Sequence, residues 1–215
     1  MQARVVCISG ADGAGAAEAA ALVAEQLGYR AIDEEILVRA AAHAGVEPHV
    51  IADVERRKSL LKRLLDGLGG ADMGAYGMGE IMPVGESQVA SDELRGLIRT
   101  AIEEAALEGN AVIVAHAASI ALAGRDDVLR VLITASPGIR ASRFAEERSL
   151  DENEATRAIA TSDAGRVDYL KRFYGISTEL PTHYDVVVNT DRITPHQAAA
   201  VIVCGAADLG SVEPS

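Results

Sequence analysis

Short apolar runs alternate with longer amphipathic or alanine-rich segments along most of this chain. Five runs are rich in β-branched residues: 4–9 (RVVCIS), 29–32 (YRAI), 111–114 (AVIV), 128–134 (VLRVLIT) and 185–189 (DVVVN). Apolar runs of this length are typical of strands that are buried on both faces. Because helical segments separate the runs, the pattern predicts a five-stranded parallel sheet flanked by helices, which is a three-layer α/β fold.

Local signals predict where several helices begin and end. The alanine-rich stretch Ala16–Leu27 stops at Gly28, and a second helical stretch, 34–44, stops at Gly45. Three later helices start with N-cap patterns: Ser136 before Pro137, Asp151 with Glu154, and Thr194-Pro195 with Gln197. Residues 151–174 are helical in pattern but rich in charge, which predicts an exposed arm over the sheet.

One stretch, residues 67–87, has no periodic pattern and is rich in glycine and methionine. It predicts a mobile loop, with an interdomain linker as the less favoured alternative. At about 150 residues per domain, the 215-residue length favours one domain (1–215) with an inserted lid over two separate cores.

Composition narrows the function classes. Twenty basic and 32 acidic residues give a net charge of −12, which repels phosphate backbones, and only seven aromatic residues are present, so nucleic acid is not expected as a partner. The longest apolar stretch, 198–207, is shorter than the roughly 20 residues of a membrane span. Cys7 and Cys204 lie in apolar segments and predict reduced, buried thiols, with the cytoplasm as the expected location.

The strongest local motif is the glycine loop 10–15 (GADGAG), which lies between a predicted strand and a predicted helix. Glycines at this place let backbone amides approach an anion closely, and the helix that follows points its positive end at the anion. In the pattern G-x-x-x-x-G-K-[ST], Ala16 and Ala17 replace the lysine and the hydroxyl residue. The motif alone leaves two interpretations open, a phosphate-binding loop and a tight β–α turn.

Several segments resemble the cytidylate kinase-like family of nucleoside monophosphate kinases. ISGADGAGAAEAA is similar to the opening of bacterial cytidylate kinases, and further similar segments follow in the family's order: LGYRAID, AVIVAH, LITASPGIRASRF, DAGRVDY and YDVVVNT. The similarity covers about residues 5–207. It implies a P-loop fold with a helical lid at about 140–175.

The resemblance also implies a site. ATP would lie on the glycine loop, with Mg²⁺ if the protein is catalytic, and lid cations would surround the transferring phosphoryl group. The implied loop residues are Gly10, Asp12, Gly13, Ala14, Gly15, Ala16 and Ala17. The implied catalytic cations are Arg140, Arg143 and Arg166, and the implied acceptor-side residues are Asp33, His116 and Asp163. Phosphoryl transfer depends on positioning and charge, so the arginines matter more than any base.

Departures from the family pattern leave two functions open. Ala16 lacks an ammonium group, Ala17 lacks a hydroxyl group, and Ala115-His116-Ala117 replaces a Gly-Arg-type turn. The first function is ATP-dependent phosphorylation of a CMP-like acceptor, and the second is a non-catalytic relative, a pseudokinase, that senses a nucleotide or binds a protein.

A third alternative is an assembly subunit, a homo-oligomer or a partner-bound protein. In it the basic segment 56–63 docks a partner, although a solvated helix face is the simpler interpretation of that segment. The histidines show no paired spacing of metal ligands, so no metal site is expected.

Overall fold

A computed structural model describes residues 2–33, 84–115 and 117–209, and for 84–95 it describes the backbone alone. Its five strands are β1 (Val5–Gly10), β2 (Arg30–Ile32), β3 (Ala111–Val114), β4 (Val128–Thr134) and β5 (Val186–Asn189). They form one parallel sheet in the order β2-β3-β1-β4-β5. The predicted five-stranded parallel sheet is therefore confirmed.

Helices cover both faces of this sheet. In the described ranges they are α1 (Ala16–Leu27), α2 (Val84–Glu108), α3 (Ala118–Ala121), α4 (Pro137–Arg148), α5 (Glu152–Tyr174) and α6 (Pro195–Ala207), with a 3₁₀ turn at Pro181–His183. Among these described helices, none is long and apolar enough to cross a membrane.

Alternate residues of β1 build two separate cores, because successive side chains of a strand point to opposite faces. Val6 and Ile8 pack with α1 and α6, where Val23 and Ile202 are fully buried. On the opposite face, Val5 and Cys7 pack with α2 and α3. This arrangement confirms the three-layer α/β class.

Most predicted boundaries agree with the structure to within one or two residues. The predicted bounds of α1, β3 and β4 are those observed. The predicted loop 67–87 is wrong at its end, because residues 84–87 form the first turn of α2. They lie beyond Pro83, so that residue does not interrupt the helix. The rest of that loop, the predicted helix 34–44 and the basic segment 56–63 lie outside the described residues.

Two of the three N-cap predictions are confirmed by side-chain hydrogen bonds. Asp151 and Thr194 each form a full capping box, with Glu154 and Gln197 respectively. Ser136 is the N-cap of α4, but its side chain makes no capping hydrogen bond.

Two predictions about burial need correction. Residues 152–174 form a helix as predicted, but α5 is not simply an exposed arm, since Ile159, Arg166 and Leu170 are buried in it. Cys7 and Cys204 are both free thiols, yet Cys204 is exposed because it lies on the solvent side of α6. Burial raises the pKa of Cys7 to about 12, which makes that thiol unreactive.

Candidate functional site

The glycine loop lies at the carboxyl edge of the sheet, where ligands of parallel α/β proteins bind. It leaves β1 at Gly10, whose register partner on β4 is Ile133. Thr134 in turn pairs with Asn189 at the end of β5. The ends of three adjacent strands therefore bring the loop, α4 and the segment before α6 together.

The loop has a backbone conformation that requires glycine at two positions. Gly13 and Gly15 have φ angles of 74° and 79°, in the left-handed region. At Gly13 a Cβ would also collide with the backbone carbonyl of Arg140. The amide of Ala14 donates to the carbonyl of Ala11 over 3.0 Å, which closes the turn. Among the described residues, the amides of Gly13 and Gly15 have no hydrogen-bond acceptor, so they are open to an anion.

Arg140, the first residue of the predicted lid, binds the loop from α4. It is only 6% exposed, and its Nε donates to the Asp12 carbonyl over 2.7 Å. Its two terminal nitrogens donate to the Asp163 carboxylate of α5 over 2.9 and 2.7 Å. This two-pronged pair neutralises the guanidinium and joins α4, α5 and the loop.

Arg166 makes a similar set of contacts from α5. It is 9% exposed and pairs with the Glu179 carboxylate through Nε and Nη2, at 2.9 and 2.6 Å. Its remaining terminal nitrogen lies 3.4 Å from the carbonyl oxygen of Gly10, and Tyr184 donates its hydroxyl to Glu179.

The pKa values of these groups describe an ionised pair. Burial disfavours the charge on Glu179, but the hydrogen bonds and charge of Arg166 outweigh burial and lower its pKa. Burial likewise opposes the charge on Arg166, and Glu179 outweighs it and raises that pKa. Burial and the hydrogen bond to Glu179 raise the pKa of Tyr184, which stays a neutral donor.

Arg143 reaches the loop through a second side chain. Its terminal nitrogens donate to the hydroxyl and to the carbonyl of Thr190, over 3.0 and 2.7 Å. Thr190 is 1% exposed, and its hydroxyl lies 2.9 Å from the Ala14 carbonyl and 3.3 Å from the Thr134 carbonyl. A continuous hydrogen-bonded chain thus connects α4, the end of β5 and the glycine loop.

A pocket of about 320 Å³ opens beside the loop. Gly15 lines it from the glycine loop, Glu18 from α1 and Arg143 from α4, and residues 190–195 close it from the side of α6. Its volume lies at the lower end of the range for small-molecule sites. Two arginines and two carboxylates stand at its walls, with Pro195 and Ile193 as apolar contacts.

The start of α1 lacks the groups that complete a phosphate loop. Ala16 is half-buried over Gly10, and Ala17 is exposed and carries no oxygen. In the described ranges, no group of three or more histidine, cysteine, aspartate or glutamate side chains could hold a metal ion. These residues do not fit a protein-ligated Mg²⁺, so any Mg²⁺ here would come with a ligand.

The structure brings together only part of the predicted acceptor side. Asp33 is exposed just beyond the end of β2, and His116 lies outside the described residues. Asp163 faces Arg140. The acceptor roles of these three residues remain predictions, as do the catalytic roles of the arginines.

Sequence reasoning missed Glu179, Tyr184 and Thr190. Glu179 and Tyr184 both lie in the segment between α5 and β5, where no periodic pattern marks them. The signal for Thr190 was its place directly after β5, beside the carboxyl end of β4.

The family model of the cytidylate kinase-like family matches residues 5–192. The chain belongs to this family. The predicted resemblance is thereby confirmed over most of the sequence. No curated protein matches the chain significantly.

Solved structures resemble the whole chain at low identity. An uncharacterized protein from Eubacterium ventriosum has a TM-score of 0.63 and 16% identity, covering 94% of this chain and 97% of that one. A shikimate kinase from Acinetobacter baumannii, in complex with shikimate, has a TM-score of 0.50 and 12% identity, with 94% and 91% covered. An unliganded sugar kinase from a Janibacter species has a TM-score of 0.50 and 14% identity, covering 97% of this chain and 96% of that one. These likenesses show the α/β P-loop fold.

Proposed function

We propose that the protein binds a nucleoside triphosphate at the carboxyl edge of the sheet and transfers its terminal phosphoryl group to a small acceptor. The family suggests that the acceptor is a nucleoside monophosphate such as CMP. The observation that carries the proposal is the glycine loop, whose Gly13 and Gly15 amides make no hydrogen bond within the described part of the chain and whose Gly15 lines a pocket of about 320 Å³.

The loop supports the phosphate half of this proposal. The amides of Gly13 and Gly15 lie at the N-terminus of the 12-residue helix α1, which carries partial positive charge. Glu18 in the first turn reduces that charge, and the lysine is absent. Phosphate binding therefore relies on backbone amides, which predicts a weak affinity.

The pocket supports the nucleoside half. It begins at Gly15 and extends past Arg143 towards Ile193 and Pro195. A guanidinium group and apolar side chains suit the flat face of a base. The nucleoside monophosphate acceptor would approach from the opposite side, near Asp33 at the end of β2.

Because Ala16 replaces the P-loop lysine, we expect slow turnover. Removing one preorganised transition-state donor lowers a rate by about 10²–10³, and kinases turn over at about 1–100 per second. We therefore expect this protein to turn over at about 0.001–1 per second.

A second candidate function, a non-catalytic nucleotide-binding protein, is favoured by one observation. Arg140 and Arg166 are buried and engaged with carboxylates and loop carbonyls, and Arg143 is engaged with Thr190. With the lysine also absent, none of these three side chains points a free charge at the place of the terminal phosphate.

Restoring the lysine tests both candidates. We would measure ADP formation from MgATP with a panel of nucleoside monophosphates, for the wild type and for Ala16→Lys. Ala21→Lys is the matched control, since it adds the same charge to an exposed position of the same helix away from the loop.

Each outcome supports one answer. If the protein is a slow kinase, Ala16→Lys raises turnover with CMP by about 10²–10³ while Ala21→Lys leaves it unchanged. If it is a non-catalytic binder, Ala16→Lys tightens ATP binding but transfer stays undetectable. Failure of both the wild type and Ala16→Lys to bind ATP contradicts both candidates.

A further inference from the structure

Three alternate carbonyl groups of the glycine loop accept hydrogen bonds from side chains outside it. The Gly10 carbonyl faces Arg166, the Asp12 carbonyl accepts from Arg140, and the Ala14 carbonyl accepts from Thr190. Thr190 is itself held by Arg143. Every arginine that the family resemblance assigns to the lid therefore ends, directly or through one residue, on a carbonyl of the loop.

The geometry of the peptide bond determines where the amides of Gly13 and Gly15 point. A trans peptide unit is planar, and its C=O and N–H groups point in opposite directions. The described part of the chain has no cis peptide bond. Fixing the carbonyls of Asp12 and Ala14 towards Arg140 and Thr190 therefore turns the amides of Gly13 and Gly15 to the opposite side. Those are the two amides that stay open.

The carboxylates make the arginines suitable for this task. Asp163 and Glu179 hold the guanidinium groups of Arg140 and Arg166 by two bonds each, so their orientation is set before any ligand arrives. The low exposure of both arginines strengthens these bonds, because water competes less for them.

We infer that Arg140, Arg166 and the Arg143–Thr190 pair are positioning residues: they form a clamp that holds the glycine loop with its amides turned outward to bind an anion. The inference rests on the proposed function for what the loop binds. It assigns the three arginines to the loop carbonyls and not to the phosphate, and it assigns Asp163 to Arg140 and not to an acceptor.

The clamp and a direct phosphate contact predict opposite effects of one substitution. Asp163→Asn removes the charge that holds Arg140. If Arg140 positions the loop, the clamp loosens and anion binding weakens. If Arg140 instead binds phosphate once it is released from a competing carboxylate, the same substitution strengthens anion binding. Asp163 is 41% exposed, so asparagine fits there without a steric collision.

Thr190 offers a test that changes no charge. Thr190→Val keeps the shape but removes the hydroxyl, whereas Thr190→Ser keeps the hydroxyl. The valine variant loses the bond that the hydroxyl donates to the Ala14 carbonyl and the bond that it accepts from Arg143. The first of these, a neutral bond of about 0.5–1.5 kcal/mol, holds the loop directly, and its loss corresponds to a weakening of about 2- to 13-fold.

The probe is inorganic tripolyphosphate, titrated calorimetrically into each variant of the full chain. We expect Asp163→Asn to weaken binding about tenfold and Thr190→Val by about 2- to 13-fold, and Thr190→Ser to stay within twofold of the wild type. Glu103→Gln is the control, because it makes the same kind of change in an exposed ion pair with Arg99. Tighter binding by Asp163→Asn, or equal binding by Thr190→Val and the wild type, overturns the clamp.

A second measurement separates failure of the clamp from failure of the proposed function. In the absence of any ligand, amide order parameters from NMR relaxation report the fast motion of Gly13 and Gly15. The clamp predicts a lower order parameter at Gly15, whose amide shares a peptide unit with the Ala14 carbonyl, in Thr190→Val than in Thr190→Ser, whether or not tripolyphosphate binds. Equal order parameters at Gly15 in the two variants overturn the clamp even if the anion binds well.

Discussion

Gly13 is required both by the backbone conformation of the loop and by the packing of α4 against it. Its φ of 74° places it in the left-handed region, and the space that a Cβ needs is taken by the backbone of Arg140. Gly28, at the other end of α1, has a similar φ of 66° but nothing within 4 Å of the Cβ position. A side chain at Gly28 would therefore cause backbone strain alone, whereas one at Gly13 would cause both strain and a steric collision.

We predict that Gly13→Ala destabilises the protein more than Gly28→Ala. Left-handed backbone costs a residue with a Cβ about 1–2 kcal/mol at either site, and overpacking adds roughly 1–3 kcal/mol at Gly13 alone. Urea denaturation monitored by circular dichroism measures both free energies of unfolding. Equal losses in the two variants would show that α4 does not press on the loop.

The sequence predicted the glycine loop but not the hydrogen-bond partners of the arginines. The Gly10–Gly15 spacing predicted the loop because only glycine adopts its backbone angles at no steric cost. The partners of Arg140 and Arg166 were not predictable, because Asp163 and Glu179 lie 23 and 13 residues away and no periodic pattern connects them. The sequence alone does not distinguish an arginine that contacts phosphate from one that contacts loop carbonyls.

At the scale of elements, the helix N-termini at the carboxyl edge differ in how they are capped. Thr194 accepts from the Gln197 amide and forms a full capping box, whereas the Ser136 side chain makes no capping bond. Both residues precede a proline in the first helical turn. The sequence pattern therefore indicates the start of each helix, but the hydroxyl contact forms in only one of them.

We predict that Thr194→Ala lowers the free energy of unfolding by about 0.5–2 kcal/mol, the usual effect of losing a side-chain cap. Ser136→Ala should change it by a few tenths of that amount, because no capping bond is lost. Thermal and chemical unfolding of the two variants measure the difference. A larger loss in Ser136→Ala would contradict this assignment of the caps.

The strand pattern explains why the architecture was predictable as a whole. Runs such as 111–114 and 128–134 are apolar because the strands are buried between two helical layers. Burial on both faces leaves a continuous apolar run, which the sequence alone reveals. The exposure of Cys204 was not visible in this way, since α6 is apolar on most sides and only its packing against β5 and α1 decides which face meets solvent.

For the whole molecule, the Arg166–Glu179 pair links stability to pH. The pKa of Glu179 is lower in the folded chain than its ordinary value of 4.5. The carboxylate therefore contributes stability that is fully present above pH 4.5 and is lost as the pH falls through the lower folded value. The side chain is 20% exposed, so solvent screens the pair only in part.

We predict that Glu179→Gln lowers the free energy of unfolding at pH 7 by about 1.5–3 kcal/mol, the contribution of hydrogen bonds to a charged group. The difference from the wild type should shrink as the pH is lowered below 4.5, because protonation removes the same charge from Glu179. Urea midpoints between pH 7 and 3 measure it, with Glu103→Gln as the exposed control. A difference that stays constant down to pH 3 would contradict the ionised pair.

Calorimetric titration with ATP tests whether the phosphates of a nucleotide bind to the amides of the glycine loop. Gly15→Val places a branched side chain at a φ of 79° beside the open amides, while Gly28→Val places the same side chain at a φ of 66° at the far end of α1. We expect weak but measurable binding by the wild type and by Gly28→Val, and no detectable binding by folded Gly15→Val. Equal affinity of Gly15→Val and Gly28→Val for ATP would contradict this expectation and would place the nucleotide elsewhere.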